Sequence, residues 1–237
     1  AHQFRAARRQ AGSEDVNAAG RAWSAADLAA VHRTIESYYS TRFRQFGATP
    51  LGVDWSCVAT QEMRFVQLLK LCEIGADCSL NDLGCGYGAL LALLARRHPA
   101  SAIDYLGIEL SAAMVRSARR RWRGQPGCRF VQGEACPRQA DYSLASGIFN
   151  VQLDQPCDLW EAFIRTTLDG LAASSRRGFS VNFIAAPAGR AIEAGLYATT
   201  PGPWLGYCAS RFDAAVELVT GYGLREFTLL VRLPRVA

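Results

Sequence analysis

Hydrophobic positions change their spacing part-way along the chain, and the change divides it. In "SAADLAAVHRTIESYYSTRF", residues 24–43, apolar side chains recur at 28, 31, 35, 38 and 39. That spacing predicts an amphipathic helix with Ser24 as its N-cap. "FGATPLGVDW", residues 46–55, is broken by Gly and Pro and reads as a loop. "CVATQEMRFVQLLKLCEI", residues 57–74, resumes a helical pattern. Residues 23–75 therefore read as an N-terminal helical segment and lid, behind a frayed start at 1–22.

From residue 78 short apolar runs alternate with longer amphipathic ones. "CSLND", "IDYLGIEL", "CRFVQGE", "DYSLASGIF" and "GFSVNFIAA" read as strands. "GALLALLARRH", "SAAMVRSARRRW" and "CDLWEAFIRTTLDGLAASS" read as helices among them. Such alternation predicts a doubly wound α/β domain over residues 76–237. Its parallel sheet is covered on both faces, and its ligands sit at the carboxyl ends of the strands. Near the end, "AVELVTGY" and "EFTLLVRL" read as two strands joined at Gly223, a connection too short to be anything but antiparallel. An insert at 187–208 precedes them, with Trp204 and Tyr207 as candidate walls of an acceptor pocket.

Composition narrows this little. The chain has 237 residues, 50% hydrophobic and 20% charged, which suits one domain with a good core. No apolar run reaches the roughly 18 residues of a membrane span. The net charge of +5 is modest, and the densest basic run, "RSARRRWRG" at 116–124, reads as a solvated helix face. Only Trp122 interleaves it, so a nucleic-acid partner is not expected. Eight cysteines form no C-x-x-C pair and have no histidine at zinc spacing. They read as thiols in a reducing, cytoplasmic setting, with no metal site.

Candidate chemistry begins at "NDLGCGYGALL", where Gly84, Gly86 and Gly88 follow a strand and open a helix. This unit brings bare backbone and a helix N-terminus against a ligand. Gly84, Gly86 and Ala89 also meet the dinucleotide pattern G-x-G-x-x-G/A, so glycines alone do not choose the ligand. Asp82 does more: a carboxylate at the strand end repels a pyrophosphate and attracts a cation.

Asp82-Leu83-Gly84-Cys85-Gly86-Tyr87-Gly88 resembles the first motif of the class I S-adenosylmethionine (SAM)-dependent methyltransferases. The resemblance covers roughly residues 55–237, and the antiparallel final hairpin agrees with it. It implies that the glycine loop takes SAM's methionine end. It implies that Glu109, followed by Leu110, takes the ribose hydroxyls, and that Glu134 with Ala135 meets the adenine; Glu134 stands where the family usually has Asp. "ASGIFN", residues 145–150, then lies where the family's fourth strand faces the sulfonium, with Ser146 beside the cofactor. "SYYS" resembles the tyrosine helix that covers SAM in several small-molecule members, with Tyr39 as the covering residue. Gln61 and Arg64, one helical turn apart, are candidates to hold the methionine carboxylate.

Methyl transfer from a sulfonium needs orientation first, and a base only if the nucleophile must lose a proton. No histidine stands where a base is wanted, and the amino-methylating N-P-P-Y motif is absent where "ASGIFN" stands. Phe149 is a candidate aromatic face for the sulfonium, and Asn150 a candidate to orient the nucleophile. The reading is methyl transfer to a small molecule. A second reading is a SAM-cyclising lyase, in which SAM's own amine forms azetidine-2-carboxylate and releases methylthioadenosine. A non-catalytic SAM-binding subunit or a nicotinamide oxidoreductase is a third. The acceptor, the methylated atom and the oligomeric state stay open.

Overall fold

The computed structural model describes residues 22–74, 78–186 and 192–234. The frayed start read at 1–22 lies almost wholly outside the described residues, as do positions 187–191 of the insert.

Helix α1 spans Ala25–Phe46 and opens on a full capping box. The Ser24 side chain accepts from Asp27 N–H while the Asp27 carboxylate takes the Ser24 N–H, so two orphan donors are met at once. A short 3₁₀ turn, Pro50–Val53, interrupts the following loop, and α2 runs Val58–Leu69. The second helix is thus shorter than its sequence pattern.

The α/β part follows the predicted alternation: β1 (Cys78–Leu83), α3 (Ala89–Arg97), β2 (Ile103–Glu109), α4 (Ala112–Arg121), β3 (Cys128–Gln132), β4 (Ala140–Ala145), α5 (Cys157–Ala173) and β5 (Ser175–Ala185). Then come β6 (Ala198–Thr199), α6 (Pro201–Phe212), β7 (Ala215–Val219) and β8 (Glu226–Arg232). Helix α6, like the short β6 and the Pro50–Val53 turn, is an element the sequence reading left out. Its "TTPGPW" start looks like a loop, but Pro201 occupies the first turn of the helix, where a missing N–H costs nothing.

The strands lie in the order β3-β2-β1-β4-β5-β8-β7, with β6 beside β5. Strands β1 to β5 pair in parallel, and β8 pairs antiparallel with both β5 and β7. Each buried strand sends alternate side chains to opposite faces. In β5, Phe179, Val181 and Phe183 join Phe227, Leu229 and Val231 of β8 under α1, α5 and α6. On the other face, Leu80, Tyr105, Tyr142 and Leu230 pack under α2, α3 and α4. Ser180 and Asn182 also point to that second face, where the Ser180 hydroxyl donates to the Leu68 carbonyl of α2. Strand order reverses between β1 and β4, and that is where an open α/β sheet leaves its crevice.

Candidate functional site

Strand β1 is buried along its length and delivers Asp82 and Leu83 to the mouth of that crevice. The glycine loop begins there and is stitched to the end of β2: the Gly84 and Cys85 N–H groups both donate to the Ile108 carbonyl, at 2.8 and 3.1 Å. Gly86 has φ +56, and a Cβ there would lie 3.2 Å from Val53 Cγ1. Gly88, at φ +82, has Trp122 Nε1 2.6 Å from where a Cβ would be. The first glycine lets the 47–57 segment settle onto the loop, and the second admits the Trp122 indole behind it.

Glu109 fixes both sides of the crevice floor. One carboxylate oxygen accepts the Gly86 N–H and the other the Ser111 N–H, each at 2.9 Å. Burial pushes its pKa up, while these two donors and the Leu110 N–H pull it down. Asp82 is 3% exposed and accepts the Tyr105 hydroxyl. Its pKa rises to about 7, chiefly through burial; the Tyr105 hydrogen bond opposes this and the Glu109 charge adds to it. Among the described residues neither carboxylate has an ion-pair partner. Two buried carboxyl groups therefore stand at the strand ends with no protein cation beside them among the described residues.

The N-terminal segment roofs the crevice. Tyr39, His32 and Ile35 from α1, Val53 and Trp55 from the loop, and Gln61 and Phe65 from α2 all line it. The Ser40 and Ser111 hydroxyls share a 2.7 Å hydrogen bond that ties α1 to the start of α4. Asp54, at φ +61, accepts the Tyr38 hydroxyl and pairs with Arg42 Nε at 2.7 Å, which pins the loop to α1. His32 Nδ1 lies 3.3 Å from the Glu134 carboxylate, and its ring meets Phe163 edge-on at 5.3 Å. Burial lowers the His32 pKa against the pull of Glu134. Burial raises the Tyr39 phenol far above its ordinary range, and the nearby Asp54, Tyr38 and Glu109 charges add to it. Tyr39 is thus a donor or a wall rather than a base. The space between these walls, counted out to the open solvent at its mouth, is about 920 Å³.

Not every residue picked out in the sequence reaches this crevice. Asp82, Gly84, Gly86, Glu109, Leu110, Glu134, Ser146, Gln61 and Tyr39 line it. Gly88 stands at the N-cap of α3, and Ala135 lies just beyond Glu134; neither is on the wall. Phe149 faces the other way: it is 1% exposed and stacks on Phe183 at 5.1 Å, so it serves the core and offers no face to the crevice. Arg64 is spent on Glu226 and the Thr60 carbonyl, behind Trp55, which leaves it ill placed for a ligand carboxylate. Asn150 is buried behind the Gly147 turn, its Oδ1 without a partner. Trp204 and Tyr207 are no pocket walls either: Trp204 stacks on Phe183, and Tyr207 donates to Asp169.

The model of a methyltransferase domain matches residues 81–171. A protein of Mycobacterium tuberculosis, "Putative methyltransferase Rv1506c", is 45% identical over 165 residues, which is 69% of this chain and 98% of that protein. The chain belongs to the class I SAM-dependent methyltransferase family. Solved structures share its fold. The magnesium protoporphyrin IX methyltransferase of Synechocystis PCC 6803, with bound S-adenosylhomocysteine (SAH), superposes with a TM-score of 0.60 at 14% identity, over 87% of this chain and 99% of that one. Human N-acetylserotonin methyltransferase in complex with SAM gives 0.53 at 14% identity, over 88% and 66%.

In this methyltransferase three groups stand out among the crevice walls that sequence reasoning missed. Trp55 and Val53 sit in the Gly/Pro loop, where a lone tryptophan was the available signal. Phe163 and Thr167 sit on α5, whose apolar spacing looks the same for core and crevice positions. Gly147, at φ +71, is a third: its N–H donates to Asn182 Oδ1 at 2.8 Å, which sets the turn after β4.

Proposed function

We propose that this methyltransferase moves a methyl group from SAM to a small-molecule acceptor within the roofed crevice. The observation that carries it is the pair of buried carboxylates, Asp82 and Glu109, on either side of a glycine loop and without a basic partner among the described residues. Buried anions call for a compensating cation or hydrogen-bond donors. A cationic methionine end and two ribose hydroxyls meet that demand; a pyrophosphate does not.

SAM, when bound, supplies an electrophilic methyl group on a sulfonium whose departure leaves a neutral thioether. The residues supply everything else. Asp82 holds the charged end, which the bare glycine backbone allows to come close. Glu109 accepts hydroxyls without releasing Gly86, because each carboxylate oxygen has more than one lone pair. Leu110 and Met114 give the crevice an apolar stretch of wall, and Glu134 and His32 line it as well. The Ser146 hydroxyl, buried on the crevice wall without a partner, is a donor still to be used. Residues 23–75 act as the lid: α1, Trp55 and Gln61 exclude water and restrict the acceptor to a small molecule. The mammalian and cyanobacterial relatives named above take N-acetylserotonin and a porphyrin, both small acceptors. Tyr39 is held protonated by burial and serves as no base. His32 lines the crevice with its Nδ1 on Glu134 and burial favouring the neutral ring, so it is the lining group that can take a proton where the acceptor must lose one.

Incubation with SAM, alone and with pooled acceptors, followed by chromatography, tests this. SAH that appears only with an acceptor supports it. Methylthioadenosine rising without an acceptor, above a protein-free control, points instead to the cyclising lyase.

A further inference from the structure

Arg64 and Glu226 form a buried ion pair that the cofactor reading leaves unused, yet their contacts close a ring that ends on the crevice wall. Arg64 Nε donates to both Glu226 oxygens at 2.9 Å, and its Nη1 donates to the Thr60 carbonyl at 2.7 Å. The second Glu226 oxygen accepts Asn182 Nδ2 at 2.8 Å. Asn182 Oδ1 accepts the Gly147 N–H at 2.8 Å. The Arg64 guanidinium lies 3.9 Å from the centroid of the Trp55 ring. The far edge of that ring presses on Gly147, with Cζ2 2.3 Å from where a Cβ would stand. Helix α2, strands β8 and β5, the turn after β4 and the lid loop thus meet in one circuit.

A buried ion pair adds little net stability over apolar side chains of similar volume. What this one adds is a fixed plane: a bidentate guanidinium cannot tilt without breaking its hydrogen bonds, and it stacks on an indole in a way a lysine cannot. Glu226 also cancels the Arg64 charge. An unpaired cation behind Trp55 would oppose a second cation in front of it.

We propose that Trp55 is the wall against which the sulfonium and its methyl group sit, and that Arg64, Glu226 and Asn182 are positioning residues that set this wall and the Gly147 turn in one register. This rests on the SAM reading of the crevice. SAM and SAH differ only by the methyl group and the sulfonium charge, so their affinity ratio reports on this wall, whereas a general loss of structure lowers both together.

The test is titration of wild type, Trp55→Phe, Trp55→Ala and Glu226→Gln with SAM and with SAH, by calorimetry and by tryptophan fluorescence. Wild type should show a SAM-dependent fluorescence change that Trp55→Phe abolishes, although four other tryptophans remain of the five. Trp55→Ala should weaken SAM by about tenfold more than SAH. Glu226→Gln, which leaves the Arg64 charge uncancelled, should do likewise. A fluorescence response that survives in Trp55→Phe, or SAM and SAH affinities that fall in parallel, overturns the proposal. If Glu226→Gln does not fold, Trp55→Phe decides alone, since Trp55 lies in a half-exposed loop outside the sheet. A wild type that binds neither SAM nor SAH removes the cofactor reading instead.

Discussion

Asp82 should make SAM binding pH-dependent in a defined direction. Its pKa rises from an ordinary 3.8 to about 7, mainly because the carboxylate is buried. At 1.36 kcal/mol per pH unit, that displacement represents roughly 4 kcal/mol. Because the folded-state value lies above the unfolded one, the ligand-free fold prefers the protonated acid. Its contribution to stability is full below pH 3.8 and is lost as the pH climbs toward about 7. A bound cation reverses the preference, so binding below pH 7 must expel a proton. SAM affinity should then rise by at most about tenfold per pH unit between pH 5.5 and 7 and level off above. An α-amino group titrates near 8, so the ligand keeps its ammonium across that window. Calorimetry in two buffers of different ionisation heat counts the proton directly. Asp82→Asn should bind SAM weakly with no pH slope, yet melt at a higher temperature than wild type at pH 8 without ligand. Wild-type affinity that is flat from pH 5.5 to 7, or an asparagine variant that binds as tightly as wild type, refutes the reasoning.

Three further outcomes are expected. Glu109→Gln replaces one acceptor oxygen by an amide that cannot take the Gly86 or Ser111 N–H, so SAM affinity should drop by about 2–3 kcal/mol in calorimetry. Gly147→Ala forces a methyl into the Trp55 ring at a left-handed φ of +71; it should lower stability by about 1–3 kcal/mol in chemical denaturation and weaken SAM binding as well. Asn150→Ala acts from behind the Gly147 turn, so it should reduce turnover more than SAM affinity only through that turn, and an unchanged kcat would show that the turn does not need Asn150.

What the sequence disclosed and what it hid follow from range. Ser24 and Asp27 are three residues apart, and their capping box was legible at its Ser24 end. The glycine loop and Glu109 were legible because a strand, a tight turn and a helix start impose their residues locally. Strands β7 and β8 were legible because so short a connection permits one pairing. Phe149 misled because it lies in the turn beyond β4, where no strand alternation sets its direction and the packing of Phe183 and Phe163 decides it. Arg64 misled because its partner, Glu226, lies 162 residues away. Trp55 was hidden for the same reason: its role depends on Gly147, which nothing near it in the chain announces.

That separation of 162 residues also orders events at the ribosome. Arg64 leaves the exit tunnel long before Glu226 is made. At 5–20 residues per second, it waits roughly 8–30 s for its counter-charge. Until β8 slots between β5 and β7, the guanidinium has no reason to lie flat, and the indole above it has no fixed seat. Trp55 therefore goes without its Arg64–Glu226 backing until the closing strand is in place. On the proposed reading, the surface that aims the methyl group is completed only then.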